Sequence, residues 1–338
     1  MTPRLELTRA QVLAHRRVVG ALDERLPAGR DSFLRAAWAG LQDSMPRAAL
    51  LSLHARVQGT NPASWEDPAF VQVWGPRFSA YVVAARDHAV FSLGRLPDDG
   101  PRRRFAEAMA DRLEASLDGR AMDYGEAGRA IGERPNMLRY AAATGRVLIR
   151  WDGARKPTVR VVPAPRLDPW EARLELARRH LHVFGPTTPH AFARWAGIRP
   201  AGAAAAWRVL TPDLTPVRTV AGAAWILSRD EASFGGGAGP TAAARLLPSG
   251  DAYFLLQGPD RDLLVPDRDQ RRALWTPRVW PGAVVVGGEI VGTWRRADTS
   301  LSLQPWRRLS PAERAAVEAE AVALPLPGVQ GRIAVRWG

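Results

Sequence analysis

The sequence repeats one order of elements, in which three short helices are followed by a two-stranded hairpin. In the middle of the chain, the spacing of apolar residues predicts helices at 101–117, 124–131 and 135–144 and strands at 146–151 and 158–162. Asp152-Gly153 stands between the two strands, and this pair favours a tight hairpin turn. Three helices followed by such a hairpin are typical of a winged helix-turn-helix domain.

The same order recurs on both sides of this segment. Downstream, helices are predicted at 173–184, from the N-cap Thr188 to Trp195, and at 201–210, with strands at 217–220 and 224–227 around Ala221-Gly222. Upstream, helices are predicted at 9–22, 32–39 and 46–57, and strands at 70–74 and 79–83.

The remainder of the chain is rich in predicted strands. After the glycine-rich joint at 235–237, strands are expected at 253–256, 283–286, 289–291, 301–303 and 333–337, with a helix that begins at the capping box Ser310-Pro-Ala-Glu313. The predicted fold class is therefore α+β. Three tandem winged helix-turn-helix domains (1–99, 100–166 and 167–232) precede a β-rich C-terminal domain (240–338).

The charge balance indicates a polyanionic partner. The chain has 47 Lys and Arg against 34 Asp and Glu, a net charge of +13, and the excess lies mostly after residue 100. Folded units with dispersed positive charge favour a nucleic acid as this partner. A monomer is expected. No run of 18 apolar residues and no secretory signal are present, which predicts a cytoplasmic protein without a membrane segment.

Several kinds of chemistry are excluded or disfavoured. Cysteine is absent, so disulfides, thiolate metal sites and a cysteine nucleophile are excluded. Of the six histidines, His180 and His182 form the one close pair, and they point to different sides of a helix. Sequence motifs for a zinc protease, a P-loop or an α/β-hydrolase are also absent. No metal and no cofactor are expected.

Three segments together resemble one known family. They are residues 38–56, the run Val73-Trp-Gly-Pro-Arg77, and the run Val291-Gly-Thr-Trp-Arg-Arg296. With the three repeated units, they resemble the AlkZ-like DNA glycosylases, bacterial winged-helix proteins that unhook interstrand crosslinks. The resemblance extends from about residue 7 to 323. It implies a monofunctional glycosylase that acts on bulky N7-alkylated purines in double-stranded DNA. The arginine bias suggests an actinobacterial-type source, in which such enzymes protect a toxin producer.

The resemblance also suggests where the reaction takes place. The family usually has Gly-Leu/Val-Gln-x-Gln, or an acid at the second Gln, and these two side chains are thought to hold the attacking water. This chain has Gly40-Leu41-Gln42-Asp43-Ser44, so Gln42 matches the first position and Ser44 replaces the second. Asp43 adds a carboxylate at a position that is usually apolar. Gln42, Asp43 and Ser44 are the predicted catalytic residues.

The reaction chemistry is compatible with these side chains. A purine alkylated at N7 is cationic and leaves readily, so the enzyme needs only to orient a water and stabilise an oxocarbenium-like sugar. Residues two apart in an extended segment face the same way, so Gln42 and Ser44 are expected to share one water while Asp43 points elsewhere. Because a hydroxyl is shorter than a carboxamide, Ser44 would leave more room for a bulky adduct.

Other side chains are candidates for DNA contact, and the residues of the catalytic motif also have structural interpretations. The predicted DNA-binding residues are Arg47, Trp74, Arg77, Trp294, Arg295 and Arg296. Ser44 has an alternative interpretation as a helix N-cap, Gln42 as a partner of loop backbone, and Asp43 as a solvated acid at a helix start. His54 lies one helix turn from Leu50 and Leu51, which favours a packing role over a catalytic one.

Two other functions remain open from the sequence. A non-catalytic winged-helix regulator would bind undamaged DNA with sequence preference, whereas a glycosylase would not. A protein that binds a small molecule fits the size of the chain but leaves the net charge unexplained.

Overall fold

The computed structural model describes residues 3–45, 47–152, 156–235, 241–329 and 333–338. Predictions that fall on Pro46, on Gly153 of the hairpin turn and on Gly236-Gly237 of the joint lie outside these residues. The first hundred residues contain β1 (Leu5–Leu7), α1 (Arg9–Val19), α2 (Arg30–Ala36), β2 (Leu41–Gln42), α3 (Ala48–Arg56), β3 (Phe70–Trp74), β4 (Ala80–Ala84) and α4 (His88–Leu93).

The middle of the chain follows the predicted order closely. It contains α5 (Gly100–Leu117), β5 (Met122–Asp123), α6 (Tyr124–Ala130), α7 (Leu138–Ala141), β6 (Val147–Arg150) and β7 (Thr158–Val161), then α8 (Pro169–Phe184), α9 (Pro189–Ala196), α10 (Pro200–Leu210), β8 (Leu214–Thr219), β9 (Gly222–Leu227) and α11 (Glu231–Gly235). The turn between β8 and β9 is Val220-Ala221, one residue earlier than predicted, because Thr219 pairs with Gly222.

The last hundred residues combine strands and helices. They contain β10 (Ala244–Leu247), α12 (Pro259–Leu264), α13 (Arg268–Leu274), β11 (Gly282–Val286), β12 (Glu289–Ala297), β13 (Ser300–Pro305), α14 (Pro311–Val322) and β14 (Ala334–Trp337). The predicted capping box of α14 is present, with Ser310 and Glu313 each accepting a backbone N–H of the other residue. Helices α12 and α13 have too few turns to give a periodic signal, and the sequence did not predict them.

Three sheets organise the chain, which has a mixed α+β fold. The six-stranded sheet runs β2-β4-β3-β6-β7-β5, the three-stranded sheet β1-β8-β9, and the five-stranded sheet β10-β11-β12-β13-β14. The first sheet joins strands of two predicted domains where Gln72 pairs with Ile149. The predicted domain boundaries stay a prediction.

Local capping accounts for several helix starts. The Asp99 side chain accepts a hydrogen bond of 2.9 Å from the backbone N–H of Arg102 at the start of α5. Thr188 caps α9 as predicted, and its hydroxyl accepts from Ala191 at 3.1 Å. These are short-range contacts, which is why they can be predicted from sequence.

The prediction of a strand at residues 253–256 is wrong. Residues Ala252–Phe254 form a 3-10 turn instead. The cause is Asp251, whose carboxylate accepts a 2.9 Å hydrogen bond from the backbone N–H of Tyr253 and so caps the turn. Apolar residues that look like a buried strand are here side chains of a capped turn that packs into the interior.

The largest core supports the edge of the six-stranded sheet. It is built on α8, α9 and α10, where aromatic rings such as Phe184, Phe192 and Trp195 are packed together, and it includes Tyr81 of β4. Tyr81 therefore fixes the strand that pairs with β2. Among the described residues, none of the helices has the length and apolarity needed to cross a bilayer.

Candidate functional site

The Gln42-Asp43-Ser44 motif begins on β2, at one edge of the six-stranded sheet. Gln42 pairs with Tyr81 of β4. Gly40 enters this strand with φ +74°, and a Cβ there would lie 2.9 Å from ring carbons of both Phe91 and Tyr81. Position 40 therefore requires glycine, and the motif is held at a fixed place by the sheet and the core beneath it.

Gln42 and Ser44 face the same side, as their spacing predicts. Nε2 of Gln42 donates a hydrogen bond of 2.5 Å to Oγ of Ser44. Oε1 of Gln42 is buried, and no donor from the described residues reaches it. A buried amide oxygen without a partner is costly unless a water or a ligand satisfies it. This oxygen is suited to hold a water beside Ser44.

Asp43 points into the protein on the opposite side. It is 2% exposed. Its Oδ1 accepts from the backbone N–H of Ala49 at 3.0 Å, and its Oδ2 accepts from Nε2 of Gln72 at 2.7 Å. Burial raises the pKa of Asp43 to about 6, although these hydrogen bonds and Arg47 act to lower the pKa.

Two interpretations of this motif are thereby corrected. Asp43 is not a solvated acid, because its carboxylate is buried at the start of α3, and it does not face the same space as Ser44. Ser44 is not the cap of that helix, since Asp43 accepts the N–H of Ala49. Asp43 was also predicted as a catalytic residue, and that role stays a prediction.

A chain of hydrogen bonds connects Asp43 to Trp151, at the end of β6. Oε1 of Gln72 accepts from the backbone N–H of Trp151 at 2.6 Å, and Nε2 of Gln72 is 3.2 Å from the Trp151 carbonyl. Nη1 of Arg47 donates to the same carbonyl at 3.2 Å. The backbone of Trp151 is therefore positioned by the residues that surround the motif.

Ser44 opens onto a cavity of about 600 Å³. Its lining combines aromatic rings and cations: Trp74, Arg77, Phe78, Tyr124, Arg139, Trp151 and Lys156. The Trp74 ring lies 5.3 Å from the Tyr124 ring and is only 4% exposed, so Trp74 supports the cavity wall from the core and is not available for DNA contact, which corrects a prediction. Such a lining can stack against a planar group and attract an anionic backbone around it.

Two predicted DNA-binding arginines lie beside this cavity. Arg47 has φ +62°, and its guanidinium carbon is 3.7 Å from the centre of the Trp65 ring. Arg150 stacks on Trp65 at the same distance. Arg77 lies in the turn between β3 and β4 with φ +57°, and its Nη1 is 3.5 Å from the carbonyl of Leu255.

Trp294 is not available for DNA contact, which corrects a prediction. It is 6% exposed, and its indole N–H donates to the carbonyl of Leu247 at 2.9 Å. The ring packs over Gly282, where a Cβ would collide with it. Arg295 and Arg296 are exposed, and Nη2 of Arg295 donates to Val279 at 3.0 Å. The tertiary structure thus separates Trp294 from the arginines that follow it.

His54 packs inside the protein. It is 8% exposed, burial lowers its pKa to about 4, and its Nε2 lies 3.3 Å from Nη2 of Arg25. Among the described residues, no group of three or more His, Cys, Asp or Glu side chains is arranged to hold a metal ion.

Sequence reasoning missed part of the cavity wall, namely Phe78, Tyr124, Arg139, Trp151 and Lys156. A signal for Trp151 was present in the sequence, because it follows Arg150 directly before the Asp152-Gly153 pair, much as Trp74 stands before Gly75-Pro-Arg77. The other four residues belong to no sequence motif, and only their proximity in the fold identifies them.

Comparison with known proteins connects this geometry to one family. The family model described as "DNA glycosylase AlkZ-like" matches residues 36–325, which include the motif and the cavity wall. The solved structure of Streptomyces sahachiroi DNA glycosylase AlkZ is similar to this chain, with a TM-score of 0.79 and 21% sequence identity over 99% of this chain and 100% of that one. This second likeness shows the fold. No curated protein matches the chain by sequence. The extent of the family match establishes that the chain belongs to the AlkZ-like family of DNA glycosylases.

Proposed function

We propose that the protein is a monofunctional DNA glycosylase that hydrolyses the N-glycosidic bond of bulky N7-alkylated purines in duplex DNA. The observation that carries this proposal is the Gln42–Ser44 pair, in which Gln42 bonds to the serine that lines the cavity. One side-chain amide is fixed by a 2.5 Å hydrogen bond, and its oxygen is buried without a partner. The pair can hold one water where a sugar would enter.

The proposed reaction needs no acid to protonate the leaving group. The bond between C1′ and N9 breaks, and its electron pair moves onto the purine and cancels the positive charge that the N7 substituent created. The water oxygen then bonds to C1′ and releases its proton to solvent. Oε1 of Gln42 accepts a hydrogen bond from this water and Ser44 Oγ fixes its position, so two neutral side chains orient the nucleophile.

In this proposal Asp43 is a positioning residue. Its carboxylate holds the first turn of α3 and Gln72, and Gln72 holds Trp151. Because Asp43 is directed away from the cavity, it does not serve as the base.

The cavity favours a large adduct. Its volume of about 600 Å³ falls within the range of sites that enclose drug-sized ligands, roughly 300–1,000 Å³. Ser44 is shorter than glutamine, and the ring of Trp151 offers a stacking surface. A wide cavity next to the motif lets the enzyme act on a bulky base without extruding it into a closed pocket.

We further infer the setting of this activity. The three units of helices and a hairpin act as winged helices along the duplex, and the protein works as a monomer. Its role is repair of adducts from a DNA-alkylating natural product in the producing cell.

The test is base release from duplexes with defined N7-guanine adducts, from methyl to bulky intercalating groups, read as abasic sites by alkaline cleavage. Gln42→Ala should slow single-turnover release about 100-fold while leaving duplex affinity unchanged. Ser44→Gln should slow release of bulky adducts more than of methyl adducts. Gln270→Ala on α13 is the matched control and should match wild type.

The opposite result is equally clear. If wild type releases no base from any adduct and prefers particular undamaged sequences, the protein is a DNA-binding regulator. If Gln42→Ala retains full activity, the water is held elsewhere.

A further inference from the structure

We propose that Arg77, Arg194 and Arg261 form a second site, which binds adjacent phosphates of the DNA backbone beside the catalytic cavity. This inference rests on the proposed function only for its ligand, duplex DNA. The site itself is defined by the contacts of one short segment, Leu255-Leu256-Gln257.

Three consecutive residues each hold one guanidinium. The carbonyl of Leu255 lies 3.5 Å from Nη1 of Arg77, and the carbonyl of Leu256 accepts from Nε of Arg261 at 3.0 Å. The side-chain oxygen of Gln257 accepts from Arg194. A guanidinium has five N–H donors, so each arginine is anchored at one edge and keeps donors for a ligand.

Aromatic stacking orients two of these arginines. The guanidinium carbons of Arg77 and Arg261 lie 5.5 Å and 5.1 Å from the centre of the same Trp280 ring. Arg261 also lies 4.8 Å from the centre of the Trp275 ring. Stacked guanidiniums keep their in-plane donors directed outward, the geometry in which arginine binds phosphate oxygens.

The cluster lacks a neutralising carboxylate. Within the described ranges, no Asp or Glu oxygen comes within 4.0 Å of Arg77, Arg194 or Arg261. The two nearest acids in sequence form ion pairs with other arginines. Asp260 pairs with Arg16 at 2.7 Å, and Asp262 pairs with Arg271 at 3.0 Å.

This arrangement has an electrostatic cost. Burial is the largest cause, and together with the charges of Arg77 and Arg194 it lowers the pKa of Arg261 to about 10. Like charges that are held together by neutral acceptors favour an anion between them.

The position of the cluster favours the DNA backbone over a free anion. Arg77 lines the catalytic cavity and also a second cavity of about 250 Å³ that Arg194 lines. The same loop joins both places, since Gly250 packs against Gln42 and residues 255–257 hold the arginines. A strand whose lesion reaches Ser44 would therefore carry its next phosphates past this cluster. Arg77 adopts φ +57°, a strained conformation that is typical of functional positions.

The test measures binding of undamaged duplex DNA against salt concentration. Each phosphate contact contributes about 0.9 to the slope of log K against log salt, so Arg194→Gln/Arg261→Gln should reduce the slope by about 1.8. Arg194→Lys/Arg261→Lys keeps the charge and should keep most of the slope. The matched control, Arg103→Gln/Arg272→Gln, removes two exposed arginines that pair with Glu107 and Asp269, and should change the slope much less.

Each outcome has a definite meaning. A slope that falls no more than in the control overturns this inference, as does an equal fall in the lysine variants. Thermal unfolding shows whether each variant is folded. If Arg261→Gln is unstable, Arg194→Gln alone should lower the slope by about 0.9. A wild type that releases no base but shows the expected slope changes contradicts the proposed function and not this site.

Discussion

Gly250 packs directly against the side-chain amide of Gln42. A Cβ at position 250 would lie 2.7 Å from Nε2 and 3.1 Å from Cδ of Gln42, and the backbone there has φ +79°. The glycine therefore serves two purposes, a left-handed turn and close contact with the residue proposed to hold the water. A loop about 200 residues away in sequence thus determines where the amide of Gln42 can lie.

We expect Gly250→Ala to slow base release by at least tenfold, because the new methyl group displaces the Gln42 amide and each tenfold change corresponds to about 1.4 kcal/mol of barrier. The matched control is Gly119→Ala. Gly119 has φ +75° with no atom near its Cβ position, so this variant carries the same backbone strain of about 1–2 kcal/mol without the clash. Equal activity of the two variants in a single-turnover assay would contradict the role of Gly250.

The wall of the cavity should determine affinity for large adducts. Trp151→Ala removes a stacking surface worth about 1–3 kcal/mol, so affinity for a duplex with a bulky N7 adduct should fall about tenfold while affinity for undamaged duplex stays unchanged. Fluorescence anisotropy with both duplexes measures this ratio. Trp337→Ala, in the C-terminal strand β14, is the control. A parallel loss on both duplexes would show that Trp151 acts only through the backbone or the fold.

Asp43 should make stability depend on pH. Its pKa is raised in the folded protein to about 6 from an ordinary value of 3.8, so between these values the folded state binds more protons than the unfolded state. Stability contributed by protonated Asp43 is therefore lost as pH rises from 4 towards 7, by at most about 3 kcal/mol.

Urea unfolding of wild type and Asp43→Asn at pH 4 and pH 7 tests this expectation. Because asparagine does not titrate, the variant should gain stability relative to wild type as pH rises. Comparing the two proteins cancels the titration of the other carboxylates. A difference in unfolding free energy that is the same at both pH values would refute the raised pKa.

The buried pair of Arg56 and Asp251 should be essential for stability. Both guanidinium Nη atoms of Arg56 donate to the carboxylate at 2.7 Å, and Ser52 adds a third hydrogen bond of 2.7 Å. Burial alone would raise the pKa of Asp251, but Arg56 beside it holds the pKa below its ordinary value. Asp251 therefore stays ionised in the interior because Arg56 is present.

Arg56→Met should lower the unfolding free energy by roughly 3–5 kcal/mol, because it leaves a buried carboxylate without its partner. Arg272→Met breaks an exposed pair and should cost at most about 1 kcal/mol. Urea titration compares the two variants. If Arg56→Met were as mild as Arg272→Met, the pair would not anchor the loop that begins at Gly250.

The sequence by itself determined the parts of this protein that depend on neighbours along the chain. Helix starts at Thr188 and Ser310 were predicted because the cap and the bonded N–H are three residues apart. The common side of Gln42 and Ser44 follows from the two-residue period of an extended segment. The family resemblance likewise rested on short runs of residues.

The tertiary structure decided whatever depends on residues far apart in sequence. Tyr253 lies in a capped turn and not a strand because Asp251 is fixed by Arg56, and Trp294 is buried because Leu247 accepts its N–H. The burial of Asp43 depends in the same way on Gln72. The periodicity of a sequence indicates which face of a helix or strand is apolar, but not which distant residues pack against that face. The pKa values, the cavity wall and the arginine cluster all depend on such distant contacts.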